Sequence, residues 1–292
     1  MHPLIQQLLA PGPVITDGAW GTQLQARGLA LGEFPEAWNL THADRVAEVA
    51  CAYVQAGSQV ILTNTFGANR IRLGDAALGG SVAEINRRGV EISRAAAGDR
   101  ARVFASIGPT GKLLLSGEVT EDEVRAAFAE QARALAQGGA DALVVETMSD
   151  LAEALLAVSG ARETGLPVVA CMVYDSGKNK DRTMMGTTPE QAAQALTQAG
   201  AEVIGANCGQ GIAGFAALGQ RLRAATDRPI WLKPNAGLPA VVEGRVQYRA
   251  RPEEFAGHVA ELIKLGAGFV GGCCGTGPDF VAAIKRRLAP AR

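Results

Sequence analysis

Gly271-Gly272-Cys273-Cys274-Gly275 follows the apolar run Gly268-Phe269-Val270, and Asn207-Cys208-Gly209 follows Val203-Ile204. Neighbouring side chains on an extended strand point to opposite faces, so adjacent cysteines converge only where the backbone leaves the strand. Flanking glycines permit that turn. Cys208, from another strand end, completes a cup of three sulfurs. Three thiolates with one open position describe a catalytic zinc site, whereas a structural site is closed by a fourth protein ligand. His2, His42 and His258 all fall outside the strand ends, so none is placed as a fourth ligand. The same absence speaks against a Ser-His-Asp or Cys-His hydrolase. The competing reading is three buried thiols without metal. A three-thiolate zinc site carries net negative charge and activates water poorly. It suits a substrate thiol, whose pKa the metal lowers while the sulfur stays electron-rich. The chemistry implied is alkyl transfer to a thiol.

Other strand-end residues would orient that thiol. Asp17 and Glu146 are carboxylates placed to bind an ammonium group, unless they merely cap the helices that follow. Two carboxylates also allow glycoside hydrolysis, but that leaves the cysteines idle. Thr65, Asn207 and Asn64 offer neutral hydrogen-bonding groups, and Phe66 and Trp20 would wall a pocket. Gly18 joins Thr65, Phe66 and Asn207 among the expected substrate-binding positions. Trp20 and Trp38 also suit a core. Cys51, in a helical stretch, and Cys171, within a strand, read as small core residues.

The elements that must position these groups recur as one unit: a short β-branched run, a loop, an amphipathic stretch and a glycine turn. Eight candidate strands stand out: Val14–Gly18, Val60–Asn64, Val103–Gly108, Ala142–Thr147, Val168–Tyr174, Val203–Cys208, Ile230–Asn235 and Phe269–Cys274. Between them runs helical periodicity, as in Val124, Phe128, Ala132 and Leu135. Gly57, Gly139, Gly165, Gly200 and Gly266 fall where left-handed helix caps want glycine. Thr188-Pro189-Glu190-Gln191 reads as a capping box. Eight βα units without a composition break predict an α/β protein, a single-domain (β/α)8 TIM barrel over residues 1–292, rather than a doubly wound sheet. No dinucleotide fingerprint follows the first strand, and Gly108-Pro109-Thr110-Gly111-Lys112 lacks the spacing of a phosphate loop. Strands six and eight flank strand seven, roughly 10 Å apart, a gap that cysteine side chains can close around one metal. Thr65–Val82 and Asp175–Thr187 are long connections at the strand C-terminal mouth, the second a solvated loop, a lid or a docking surface.

A net charge of −1 without basic clusters excludes a nucleic-acid or anionic-membrane surface. Five cysteines in 292 residues, two of them adjacent, are no disulfide framework and imply a reducing compartment. With no secretory signal pattern and no run near the roughly 18 apolar residues that span a bilayer, a cytoplasmic enzyme is expected.

Asp17-Gly18-Ala19-Trp20-Gly21-Thr22, Asn64-Thr65-Phe66-Gly67-Ala68, Gly108-Pro109-Thr110-Gly111, Glu146-Thr147, Asn207-Cys208, Pro234-Asn235-Ala236-Gly237 and Gly271–Thr276 occur in that order. Together they resemble the homocysteine S-methyltransferase family, most of all the homocysteine-binding module of cobalamin-dependent methionine synthase. The resemblance runs from about Val14 to Leu288. It implies a (β/α)8 barrel with Zn2+ on Cys208, Cys273 and Cys274, the zinc taking up the homocysteine sulfur. It further implies that Asp17 and Glu146 hold the substrate amino group, with backbone amides on the carboxylate, and that methionine is the product. Ala206 and Gly209 depart from the family's usual residues beside Asn-Cys. Because the chain carries no folate or cobalamin module, the methyl donor is expected to be a separate methylcorrinoid protein, or a small molecule such as S-methylmethionine or betaine. A quaternary ammonium donor would call for an aromatic cage from among Trp20, Phe66, Tyr174 and Tyr248. Methylation of another thiol, and a non-catalytic zinc- or thiol-binding module of a larger complex, are the alternatives.

Overall fold

A computed structural model describes residues 1–74, 77–238, 240–242 and 245–289. Its strands are β1 (Val14–Ile15), β2 (Val60–Ile61), β3 (Arg102–Ile107), β4 (Ala142–Met148), β5 (Val168–Met172), β6 (Val203–Gly211), β7 (Ile230–Asn235), β8 (Ala240–Val242), β9 (Arg245–Gln247) and β10 (Ala267–Val270). The helices are α1 (Pro3–Leu9), α2 (Gly21–Gln25), α3 (Trp38–Thr41), α4 (Ala43–Ala56), α5 (Arg70–Gly74) and α6 (Val82–Ala97), followed by α7 (Glu121–Gln137), α8 (Leu151–Arg162), α9 (Pro189–Gln198), α10 (Phe215–Ala225), α11 (Pro252–Lys264) and α12 (Pro278–Leu288). Eight strands form one parallel sheet in the order β1-β10-β7-β6-β5-β4-β3-β2. This is the expected (β/α)8 barrel. The antiparallel pair β8–β9, inserted between β7 and α11, was not foreseen. None of the described helices is long and apolar enough to cross a membrane.

Local chemistry explains the helix boundaries. Thr120 and Thr188 each close a capping box, with Glu123 and Gln191 returning the bond, and so satisfy backbone donors at the starts of α7 and α9. All five expected cap glycines have positive φ, from 75° at Gly165 to 110° at Gly57. Val124, Phe128, Ala132 and Leu135 are all buried on the inner face of α7.

Within the barrel, Phe104 stacks on Trp231 with ring centroids 6.1 Å apart, and Phe269 packs tilted against Trp231 at 5.2 Å. Ile5 of α1 belongs to the same interior cluster. A second and larger core lies between strands and helices; Trp38 and Cys171 are buried, and Cys51 is half-buried against this core. Packing of α1 into the interior cluster leaves the ends carrying the βα loops as the accessible face of the barrel.

Three strands end three or four residues earlier than expected, and β3 and β5 end one and two residues early. β1 and β2 each keep two residues in the ladder and β10 stops at Val270, because the backbone beyond takes its partners from loops and side chains. At the seam between β1 and β2, Gln59 N donates to Ile15 O at 2.7 Å, Ile15 N donates to the Gln59 side chain at 2.9 Å, and Leu62 N donates to Asp17 Oδ2 at 2.7 Å. A carboxylate thus fastens one edge of the sheet to the other.

Candidate active site

Beyond Val270 the chain is laced to its neighbours by backbone bonds. Gly271 N donates to Leu232 O, Gly272 N to Asp17 O, and Cys273 N to Pro234 O at 2.8 Å. Cys274 N donates to Asn235 Oδ1 at 3.0 Å, and Thr276 returns to Cys273 O through its amide and hydroxyl. Both cysteines therefore lie on a tight turn, not on a strand, and Gly275 completes it at φ 81°. Cys208 reaches the same point from β6, where the register with β7 shifts after Asn207 and Cys208 itself takes φ 60°.

The three sulfurs lie within 4.8 Å of one another, and Cys208 Sγ is 3.9 Å from Cys274 Sγ. Metal–sulfur bonds of about 2.3 Å at tetrahedral angles put sulfurs about 3.8 Å apart. The donor set and its spacing therefore fit a thiolate-bound metal ion. Hydrogen bonding to Cys208 holds the Cys274 thiol up at about 11 and pushes Cys273 well above the usual thiol range. The contacts with Cys273 and Cys274 pull Cys208 well below the usual thiol range. Thiols ligate a metal as thiolates, so uptake releases protons and affinity is expected to weaken as pH falls from about 8 to 6. Chelator competition measures this, and a pH-independent affinity would contradict it.

The cup forms part of the wall of a cavity of about 440 Å³. Of the sequence-predicted residues, Gly18, Phe66, Glu146, Asn64 and Trp20 line this cavity with the three cysteines, and Tyr248 joins them. Thr65 is held behind the wall, its hydroxyl 2.7 Å from Ser106 O and 2.5 Å from Thr63 Oγ1. Asn207 is also buried. Its Nδ2 donates to Thr147 Oγ1 at 2.6 Å and to Glu146 Oε2 at 3.3 Å, and it approaches Cys273 Sγ at 3.8 Å. Asn207 therefore ties the carboxylate to the sulfur cup. Tyr174 is buried and does not line the cavity, and its hydroxyl has no hydrogen-bond partner among the described residues.

The two carboxylates are not equivalent. Glu146 faces the cavity, with Ser106 Oγ donating to its Oε1 at 2.5 Å. Burial pushes its carboxyl up in pKa, and the charge of Lys233 opposes that. Asp17 is 0% exposed, with Oδ1 bonded to Lys233 Nζ at 2.5 Å and Oδ2 accepting from Trp20 Nε1 and Leu62 N, each at 2.7 Å. Its oxygens are already engaged by residues of the wall, and Asp17 itself lies behind them. Lys233 escaped sequence reasoning. Its signal was a lone cation inside the apolar strand Ile230-Trp231-Leu232-Lys233, since a charge at a buried position must be paired.

Glycine is required at Gly271, where an added Cβ would lie 2.6 Å from Asp17 O. Backbone cannot yield there, so Gly271→Ala is expected to displace the cysteine turn. A loss of metal affinity of at least about tenfold should follow with far-UV circular dichroism unchanged; unaltered metal retention would refute this account of the turn.

A parallel barrel whose cavity wall carries three converging thiols and a carboxylate has the donor set of a site for a soft metal ion beside an acidic group. The homocysteine S-methyltransferase family model matches residues 14–288, and the chain belongs to that family of methyltransferases. It is 33% identical over 301 residues to methionine synthase of Mycobacterium tuberculosis, and 32% over 299 residues to that of Mycobacterium leprae. Each match takes in 97% of this chain but 25% of the relative, so the chain spans about a quarter of those proteins. Among solved structures, the metallated form of the homocysteine methyltransferase MmuM from Escherichia coli superposes with a TM-score of 0.79 at 24% identity, covering 97% of this chain and 99% of that one. At that identity the likeness establishes the fold.

Proposed function

We propose that this barrel is a cytoplasmic enzyme that transfers a methyl group to the sulfur of homocysteine, giving methionine, with Zn2+ held by Cys208, Cys273 and Cys274. The observation that carries the reading is the convergence of three sulfurs within 4.8 Å on a cavity wall that also presents Glu146. When bound, the zinc lowers the pKa of a thiol and keeps the resulting thiolate nucleophilic. Glu146, oriented by Ser106 and Asn207, takes the substrate ammonium. Asp17 contributes from behind, by holding Lys233. Fixing the amino-acid end at Glu146 would position the acceptor sulfur at the cysteine cup for attack on the donor's methyl group. Trp20, Phe66 and Tyr248 line the cavity and narrow the access of water to it. Their rings also suit a methyl carried on a positively charged atom.

The test is methionine formation by zinc-loaded protein from homocysteine with each donor in turn: S-methylmethionine, betaine and a methylcorrinoid protein. Turnover with one of them, dependent on zinc, is expected. Homocysteine binding without turnover for any donor would instead identify a thiol-binding module. Faster methylation of another thiol would displace homocysteine as the acceptor.

A further inference from the structure

Arg72 belongs to α5, which follows β2, and β2 stands four places from β6, the strand of Cys208, in the eight-stranded sheet. The arginine and the cysteine therefore line one cavity from opposite sides of the barrel. Among the described residues the hydrogen bond Arg72 donates comes from its backbone, N to Asn69 Oδ1 at 2.9 Å. Its guanidinium carries five N–H donors and meets no acceptor there. Yet its seat is built. A Cβ on Gly67 would stand 2.7 Å from Arg72 Nε and 2.8 Å from Glu36 Oε1, and one on Gly111 would stand 3.6 Å from Arg72 Nη1. Glu36 is 4% exposed, lines the same cavity and accepts from Gly67 N at 2.5 Å. It thus fixes the glycine against which Arg72 lies, and it sits on the Nε side, leaving the terminal nitrogens unengaged. A planar fork of free donors is the group that takes a carboxylate with two parallel bonds. We propose that Arg72 is a specificity determinant for the methyl donor, its guanidinium taking the carboxylate of a small onium donor and turning the methyl-bearing end toward the sulfur cup. The site then selects onium carboxylates over onium ions that lack a carboxylate. This rests on the proposed methyl transfer and uses none of the groups assigned to the acceptor. With a sulfonium donor, the acceptor thiolate bonds to the methyl carbon as that carbon's bond to the donor sulfur breaks. The bonding pair stays on the donor sulfur, which leaves as a neutral thioether.

The experiment compares dimethylsulfonioacetate with trimethylsulfonium, which lacks the carboxylate. Calorimetry without homocysteine reads their binding, and methionine formation by zinc-loaded protein reads kcat/KM. The wild type is expected to favour dimethylsulfonioacetate by at least about tenfold in both, the loss typical of one charge-assisted hydrogen bond. Arg72→Met should weaken dimethylsulfonioacetate by at least about tenfold. It should leave trimethylsulfonium and the KM for homocysteine within about threefold, so that the preference disappears. Arg72→Lys keeps the charge without the fork and should recover part of the preference; it also serves should Arg72→Met fail to fold. Equal losses for the two sulfonium ions would give Arg72 a structural role and overturn the proposal, as would a weakened homocysteine with both donors unaffected. Turnover with a methylcorrinoid protein but with neither sulfonium would overturn the small-donor assignment and leave methyl transfer to homocysteine standing. An Arg72-dependent binding preference without methionine from any donor would overturn the transfer reading and leave Arg72 as the carboxylate site. Binding of neither sulfonium and no turnover would overturn both.

Discussion

Cys273→Ala is expected to empty the sulfur cup and abolish methyl transfer while the barrel stays folded. The backbone of the turn does not depend on this side chain: Cys273 N still reaches Pro234 O, and Thr276 still reaches Cys273 O. The thiol makes its contacts with Asn207 and the other two cysteines, so its removal costs the fold little, about 1 kcal/mol. The functional loss is far larger. Even an outer partner of a metal ligand is worth 10–100-fold in affinity or activity, so losing one of three ligands should cost at least about 100-fold in each. Metal content by elemental analysis, methionine formation and circular dichroism together check the result. Cys208→Ala should behave alike. Full turnover by a metal-free Cys273→Ala protein would refute the chemistry proposed for this site.

Asp17→Ala is expected to act mainly on stability. It leaves the Lys233 ammonium buried without its hydrogen-bonded partner, and removing one member of a buried pair costs about 3–5 kcal/mol. It also removes the acceptor that Leu62 N and Trp20 Nε1 share across the β1–β2 seam. A fall in melting temperature of about 5–15 °C should follow. Asp17→Ala/Lys233→Met should recover a large part of the loss, with a coupling energy within the range of about 0.5–3 kcal/mol seen for contacting residues. Additive single effects would show that the pair is not the unit described here.

The sequence made the barrel legible because eight βα units repeat with glycine caps at fixed places, and each signal is local. The sulfur cup was legible for a different reason. Cys273 and Cys274, pinned between glycines, have few backbone solutions, and Cys208 belongs to a strand that must lie two places away in the sheet. What was not legible depends on contacts distant in sequence. Nothing around Asp17 indicates that its oxygens meet a lysine 216 residues later, so it reads like Glu146, and only the fold separates the residue facing the cavity from the one behind it. Thr65 follows β2 and Asn207 lies within β6, and both bond to the wall rather than face the cavity. The strand ends were overextended because Asp17 and Cys273 look like strand continuations until their partners are known. β8 and β9 were missed because the valines there carried no visible requirement for a second, separate sheet.

Thr147 and Cys208 both adopt φ 60°, a left-handed conformation unusual for residues with a Cβ. They are linked through Asn207, whose Oδ1 accepts from Thr147 N. Each such backbone costs of order 1 kcal/mol or more, and persists where its surroundings over-determine it. Glycine at 208 would relax that tension but discard a sulfur, and at 147 it would take away the hydroxyl that accepts from Asn207. The rim of this barrel therefore keeps a conformational debt that its floor does not, and selection for thermal endurance alone would erode its chemistry first.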